Sequence, residues 1–255
     1  MRTLILLLVA VFSGSFLFFK NDNSKISLPS ISNDIKPAEK GFAVLELFTS
    51  EGCSSCPSAD ELMQKYATRD NVFVLSYHVT YWNRLGWKDM FSQKTFDERQ
   101  YSYGAKFKGD GVYTPQVVIN GGYECVGSRG AEIEKQIQNV QAQTPTNSIA
   151  LLQKTTGNDV EINYNITGDT KGKSLHLVLV ETALFTNVKN GENSGRTLKH
   201  ANVVRDFQTV KLNEIGKGVG HFFLLKDWQK NNCKIIGFLQ DDTTWKISGA
   251  SQVSI

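Results

Sequence analysis

The sequence predicts an α/β domain followed by a β-rich, sandwich-like domain, and three observations lead there. The apolar run 43–48 leads into Cys53-Ser54-Ser55-Cys56-Pro57, after which Ala59, Leu62, Met63, Tyr66 and Ala67 recur at helical spacing: strand, loop, helix. A second apolar run, 72–78, precedes a helical segment from Phe91 to Phe107, and strand, helix, strand in this order is a parallel crossover unit. From residue 146 onward the pattern changes to about seven short strands with Gly and Asn turns and no helical stretch.

The chain has 255 residues, 40% of them hydrophobic and 21% charged, which is the composition of an ordinary globular protein. Its net charge of +3 is small and its cations are scattered, so nucleic acid is not an expected partner. Residues 1–19 carry Arg2 and then an apolar stretch, the pattern of a signal peptide or of an uncleaved N-terminal anchor. Export to a periplasmic or extracellular location follows, with membrane contact only through that anchor. The polar tract 20–40 reads as a linker, 41–145 as the α/β domain and 146–255 as the β-rich domain.

Cys53 and Cys56 lie at the joint between the first strand and the first helix. Pro57 suits a first helical turn, where a missing N–H is harmless. Unpaired N–H groups and the positive end of the helix dipole favour a thiolate there, so Cys53 is the expected attacking sulfur and Cys56 the resolving one. Such a pair needs no bound cofactor, because the cysteines themselves carry the electrons. A structural zinc would need a second ligand pair, and Cys125 and Cys233 are isolated. Cys125 reads as a buried small hydrophobe and Cys233 as an exposed loop thiol. A Cu(I) site made by Cys53, Cys56 and His78 is the rival use of the same residues.

The parallel crossover places the loop after the first strand and the loop after the second on one sheet edge, where α/β sheets bind ligands. The second of these loops holds His78, Trp82, Arg84, Trp87 and Lys88. His78 either ends the strand as a core residue or modulates the Cys53 thiolate. Further on, Asn120-Gly121-Gly122 between apolar runs marks a hairpin, with Thr114-Pro115 at its entry.

Strand, helix, strand, helix, hairpin, helix, with this motif and this Thr-Pro, resembles the thioredoxin fold. The phrases Glu46–Pro57, Ser76–Asp89, Tyr113-Thr114-Pro115-Gln116 and Gly191-Glu192-Asn193 are similar to a secreted bacterial family, domain of unknown function 1223, over most of residues 42–250. The resemblance implies a cis-proline at Pro115 beside the disulfide, with Thr114 on the substrate side; Trp82, in the loop after the second strand, either covers the sheet end as core or meets substrate. The resemblance also implies a buried carboxylate beneath the cysteines, and Glu46 in the first strand is the candidate; the alternative is a Glu46 that faces solvent.

In the second half, the connection Thr186–His200 reads as a long loop, and Asn193, Arg196 and His200 would meet substrate if it folds towards the crevice. His176 and His221 fall in strands and read as structural. The expectation is an exported thiol–disulfide oxidoreductase acting on protein thiols or disulfides; the alternatives are the Cu(I) module and a non-catalytic envelope binding protein with a permanent disulfide.

Overall fold

β1 (Ala43–Thr49) is buried at every position because it is an interior strand with both faces covered. It pairs in parallel with β2 (Val72–His78), also buried throughout, and antiparallel with β3 (Gln116–Ile119), which turns at Asn120-Gly121 into β4 (Tyr123–Val126). The computed structural model describes residues 41–108, 111–212, 215–228 and 230–255. The expected signal peptide or anchor, 1–19, and the linker, 20–40, lie outside the described residues.

Three helices connect and cover these strands. α1 (Pro57–Tyr66) and α3 (Gly130–Gln141) bury Ala59, Met63, Ile133 and Ile137 against Leu45, Leu47 and Val74 on one face. α2 (Lys94–Phe107) buries Phe96 and Tyr103 against Val44, Phe48 and Tyr77 on the other. The two sets alternate along β1, as period-two side chains must.

The second half departs from the sequence expectation. β5 (Ser148–Thr156), β6 (Asp159–Thr167) and β9 (Lys217–Phe223) form a separate three-stranded sheet. β7 (Lys173–Asn187), β8 (Thr197–Lys211), β10 (Cys233–Asp241) and β11 (Ile247–Ser254) join β1–β4 in one eight-stranded mixed sheet, ordered β11-β10-β7-β8-β2-β1-β3-β4. The chain is therefore not a thioredoxin-like α/β domain followed by an independent β-rich domain. β8 docks on the free edge of β2, where Ser76 pairs with Val203. Ser76 Oγ donates to the Ala201 carbonyl at 2.8 Å, and Asn202 Nδ2 donates to the Val74 carbonyl at 3.0 Å. An unpaired strand edge invites a partner, and this chain supplies its own.

The continuous sheet carries its core across both halves. Val178, Val180, Val204 and Phe238 extend the cluster beneath α2, while Leu175, Leu177 and Leu179 face Ile162, Tyr164 and Ile166 of the smaller sheet. The expected loop 186–200 contracts to the residues between β7 and β8, so His200 lies within a strand. Cys233 is buried at the start of β10 rather than exposed in a loop, and Cys125 is buried in β4 as expected.

The β3–β4 turn anchors the far strands. Asn120 Oδ1 accepts from the Val44 N–H at 2.6 Å, and the Asn120 carbonyl accepts from the Ile247 N–H at 3.1 Å. Gly121 has φ +62, and a Cβ there would lie 1.9 Å from the Trp245 carbonyl oxygen. Gly121→Ala is expected to lower unfolding free energy by about 3 kcal/mol, as overpacking against rigid backbone does, and a shift in urea midpoint at unchanged slope checks it.

Candidate functional site

The Cys53–Cys56 disulfide is formed, with Cα atoms 5.5 Å apart. Cys56 is the N-cap of α1 and Pro57 its first residue, so the motif sits where the helix leaves its N–H groups unpaired. The Thr114–Pro115 peptide bond is cis. Cys53 Sγ lies 3.8 Å from the Thr114 carbonyl oxygen and 3.3 Å from Ser55 Oγ. The thiol pair and the proline turn thus meet across the end of the sheet where β1 finishes and β3 begins, the placement that the resemblance implies.

Trp82 spans this crevice. A Cβ placed on Gly52 would stand 3.3 Å from the Trp82 Cβ, and at the other side Trp82 Nε1 donates to Thr114 Oγ1 at 2.8 Å. Both cysteines are 0% exposed. The neighbouring loop, with Trp87 Nε1 donating to Glu51 Oε2 at 2.7 Å, closes over the residues that precede the motif.

Beneath the motif lies a cluster of buried ionisable groups that sequence reasoning met only in part. His78 Nδ1 is 2.7 Å from Asp89 Oδ2, and that same oxygen accepts the Glu51 backbone N–H at 2.9 Å. The His78 carboxylate partner is therefore Asp89, eleven residues on. His200, from β8, stands between Glu51 Oε1 and Asp60 Oδ2 at 3.5 Å from each. Its ring meets His78 edge-to-face at 4.8 Å. Burial disfavours a charged His200, but the carboxylates of Asp60 and Glu51, 3.5 Å away on either side, outweigh it and push its pKa up to about 10. Burial likewise opposes charge on Asp89, yet His78 and two backbone N–H groups hold its carboxyl below the usual value.

A strap between β7 and β8 ties this cluster to the thiol loop. Asn193, fully buried, donates through Nδ2 to the carbonyls of Glu51 at 2.8 Å and Cys53 at 2.9 Å. Arg196 donates to Asn193 Oδ1 at 2.9 Å, and Glu192 Oε2 accepts the Ser54 N–H at 2.9 Å. Asn193, Arg196 and His200 thus fold towards the crevice, but they grip the thiol loop itself.

Glu46 goes elsewhere. It belongs to the β1 set that faces α2, where Arg99 donates to both its oxygens at 2.5 and 3.0 Å and Tyr103 donates at 2.5 Å. Its parity on the strand, opposite to that of Leu45 and Leu47 beneath α1, keeps it away from the helix that carries the cysteines. Glu46 is buried, so it does not face solvent, and it lies against Arg99 and Tyr103 rather than beneath the cysteines. Glu51, Asp60 and Asp89 were missed, although the first two flank the motif closely enough to have drawn notice. Among the described residues no group of three or more His, Cys, Asp or Glu side chains is arranged to hold a metal ion, so Cys53, Cys56 and His78 do not converge as a site. A cavity of about 1010 Å³ around Gly41, Asn71 and Gln141 lies at the opposite end of β1.

Comparison with known proteins adds a family. A search of curated proteins finds no match. Among solved structures, one protein of Agrobacterium tumefaciens is similar at 29% identity with a TM-score of 0.64, covering 83% of this chain and 93% of its own. HBP35 of Porphyromonas gingivalis is similar in fold at 17% identity and a TM-score of 0.61, covering 86% of this chain and 77% of its own. The model of the family described as protein of unknown function (DUF1223) matches residues 44–240. That span takes in the thiol motif, Trp82, the Thr114–Pro115 turn and the Asn193–His200 strap, and the chain belongs to this family.

Proposed function

We propose that the protein is an exported thiol–disulfide oxidoreductase that exchanges disulfides with protein substrates. The observation that carries this reading is the position of Cys53 Sγ: at the start of α1 and 3.8 Å from the backbone of the cis Thr114–Pro115 turn. A substrate thiolate attacks Cys53, Cys56 leaves, and the mixed disulfide is resolved by the substrate's second thiol; run backwards, Cys53 attacks a substrate disulfide and Cys56 resolves it. Export rests on the apolar N-terminal stretch, and in an oxidising compartment the resting state is the disulfide seen here.

Cys56→Ser is the test. The variant should hold protein substrates as mixed disulfides on Cys53 that a dithiol releases, and Cys53→Ser should hold none. Absence of adducts on Cys56→Ser supports the second reading, a permanent disulfide in a binding protein, which draws on the complete burial of both sulfurs.

Burial sets a further expectation. On this reading the Trp82 indole, bonded to Thr114 beside the buried Cys53, is the group a partner displaces, and one neutral hydrogen bond is worth about 1 kcal/mol. Trp82→Phe is expected to react with a small thiol roughly fivefold faster than the parent. An unchanged rate would show that Trp82 does not control access.

A further inference from the structure

The strap between β7 and β8 holds one exposed side chain in a fixed place. Gly191 has φ +76, and a Cβ there would stand 3.2 Å from the Trp87 Cβ, so the strap lies close against the loop beside the motif. Two residues on, Asn193 is fully buried and donates to the carbonyls of Glu51 and Cys53, with Arg196 on its Oδ1. The strap also closes on itself: the Val188 N–H donates to the Arg196 carbonyl at 3.0 Å and the Gly195 N–H to the Val188 carbonyl at 2.9 Å. Glu192 stands between Gly191 and Asn193, so its neighbours fix its position although its own side chain is exposed.

That side chain touches the residue after Cys53. Glu192 Oε2 accepts the Ser54 N–H at 2.9 Å. Four covalent bonds separate the Ser54 nitrogen from Cys53 Sγ, so the carboxylate oxygen stands within about 8 Å of the sulfur. Ser54, through its side chain and its N–H, holds the Glu192 carboxyl below the usual carboxylate range, so the group is an anion wherever a thiol titrates. The other charged groups at the motif are Glu51, with Trp87 on one oxygen and His200 facing the other, Asp60 beyond His200, the His78–Asp89 pair, and Arg196, held by Asn193. Of these groups and Glu192, only Glu192 bonds the backbone between the two cysteines. A helix start favours a thiolate by presenting N–H groups to it, and here the first N–H after Cys53 already meets an anion.

We propose that Glu192 tunes the cysteine pair from the strap: its carboxylate repels the thiolate that forms on Cys53 and occupies an N–H beside it, which biases the pair towards the disulfide. The inference rests on the exchange reading above. When a dithiol reduces the pair, one of its sulfurs attacks Cys53, the Cys53–Cys56 bond breaks, and the electron pair leaves on Cys56, which takes up a proton. The second sulfur of the dithiol then attacks the first, closing the reagent's own disulfide and releasing Cys53 as a thiolate. The dithiol has lost two electrons and two protons; the cysteines hold both electrons and one proton, and the other proton passes to water. Only this final state puts charge on Cys53, so Glu192 acts on the reduced form as a positioning residue and takes no part in the bond changes.

Glu192→Gln tests this, because the amide keeps the shape and an oxygen acceptor for Ser54 while the charge goes. Alkylation of Cys53 in reduced protein, followed against pH at low salt, should place its titration about half a pH unit lower in the variant than in the parent. Equilibrium with a graded small dithiol should move about threefold towards the reduced pair at a pH above that titration. Below it, where Cys53 is a neutral thiol in both proteins, the equilibrium should not move. Both differences should close in about 1 M salt, where screening acts over roughly 3 Å. A difference of one size at every pH and salt concentration would make Glu192 a prop for the strap and overturns the inference, as does a variant identical to the parent. With either result, a parent that equilibrates with dithiol keeps the exchange reading; a parent disulfide that never opens in the folded protein overturns both.

Discussion

Glu46→Ala is expected to lower unfolding free energy by about 3–5 kcal/mol, the cost of leaving a buried charge without its partner. Arg99 lies inside the aromatic group of Phe207, Tyr103, Phe238, Tyr77 and Trp245, its guanidinium carbon 4.9 Å from the Phe207 centroid. Burial opposes its charge, and Glu46 more than compensates, so the guanidinium stays ionised. Burial, and after it the same carboxylate, pushes the Tyr103 hydroxyl well above its ordinary range, so Tyr103 remains a donor. Without Glu46 the cation keeps, among the described residues, only the acceptors Gln240 Oε1, at 3.3 Å, and the Tyr103 oxygen, also at 3.3 Å. Urea unfolding reads the loss, and replacing both partners, Glu46→Leu with Arg99→Met, should recover much of it. The titration of Cys56 in reduced protein should be the same in Glu46→Gln as in the parent. A shifted Cys56 titration would return Glu46 to the role the resemblance implied.

Stability should peak near pH 6.5 and fall on both sides. His200 has a raised pKa, so its contribution is complete below about 6.5, its ordinary value, and is lost as pH climbs towards about 10. His176 works in the opposite sense. Burial between Phe207 and Phe238, with Arg99 adding repulsion, holds its pKa well below 6.5. The unfolded chain therefore binds a proton below pH 6.5 that the folded protein refuses, and stability drops on the acid side. Equilibrium unfolding across the pH range checks both limbs: His200→Gln should flatten the alkaline limb and His176→Gln the acid one. An alkaline limb that survives in folded His200→Gln would place its origin elsewhere.

Local pattern carried much of this site. Helical spacing after Cys56, the proline behind it, and Thr114-Pro115 before a hairpin are short-range signals, and the structure brings Cys53, Thr114, Pro115 and Trp82 together. What the sequence hid is non-local. Nothing in the residues of β2 says that β8 will take its free edge, and that one pairing turns two expected domains into a continuous sheet. The same pairing brings His200 against Glu51 and Asp60, residues far from it along the chain. Glu46 shows the remaining gap: alternation makes it opposite in face to Leu45, but only the packing of α2 decides that Arg99 waits there.

One measurement bears on the central claim most directly. The folded protein is equilibrated with graded ratios of a small reduced and oxidised dithiol, and the fraction of Cys53–Cys56 disulfide is counted after alkylation. Exchange chemistry predicts a single reversible two-electron transition while the fold persists. A disulfide that stays closed at every ratio until the chain unfolds would contradict it.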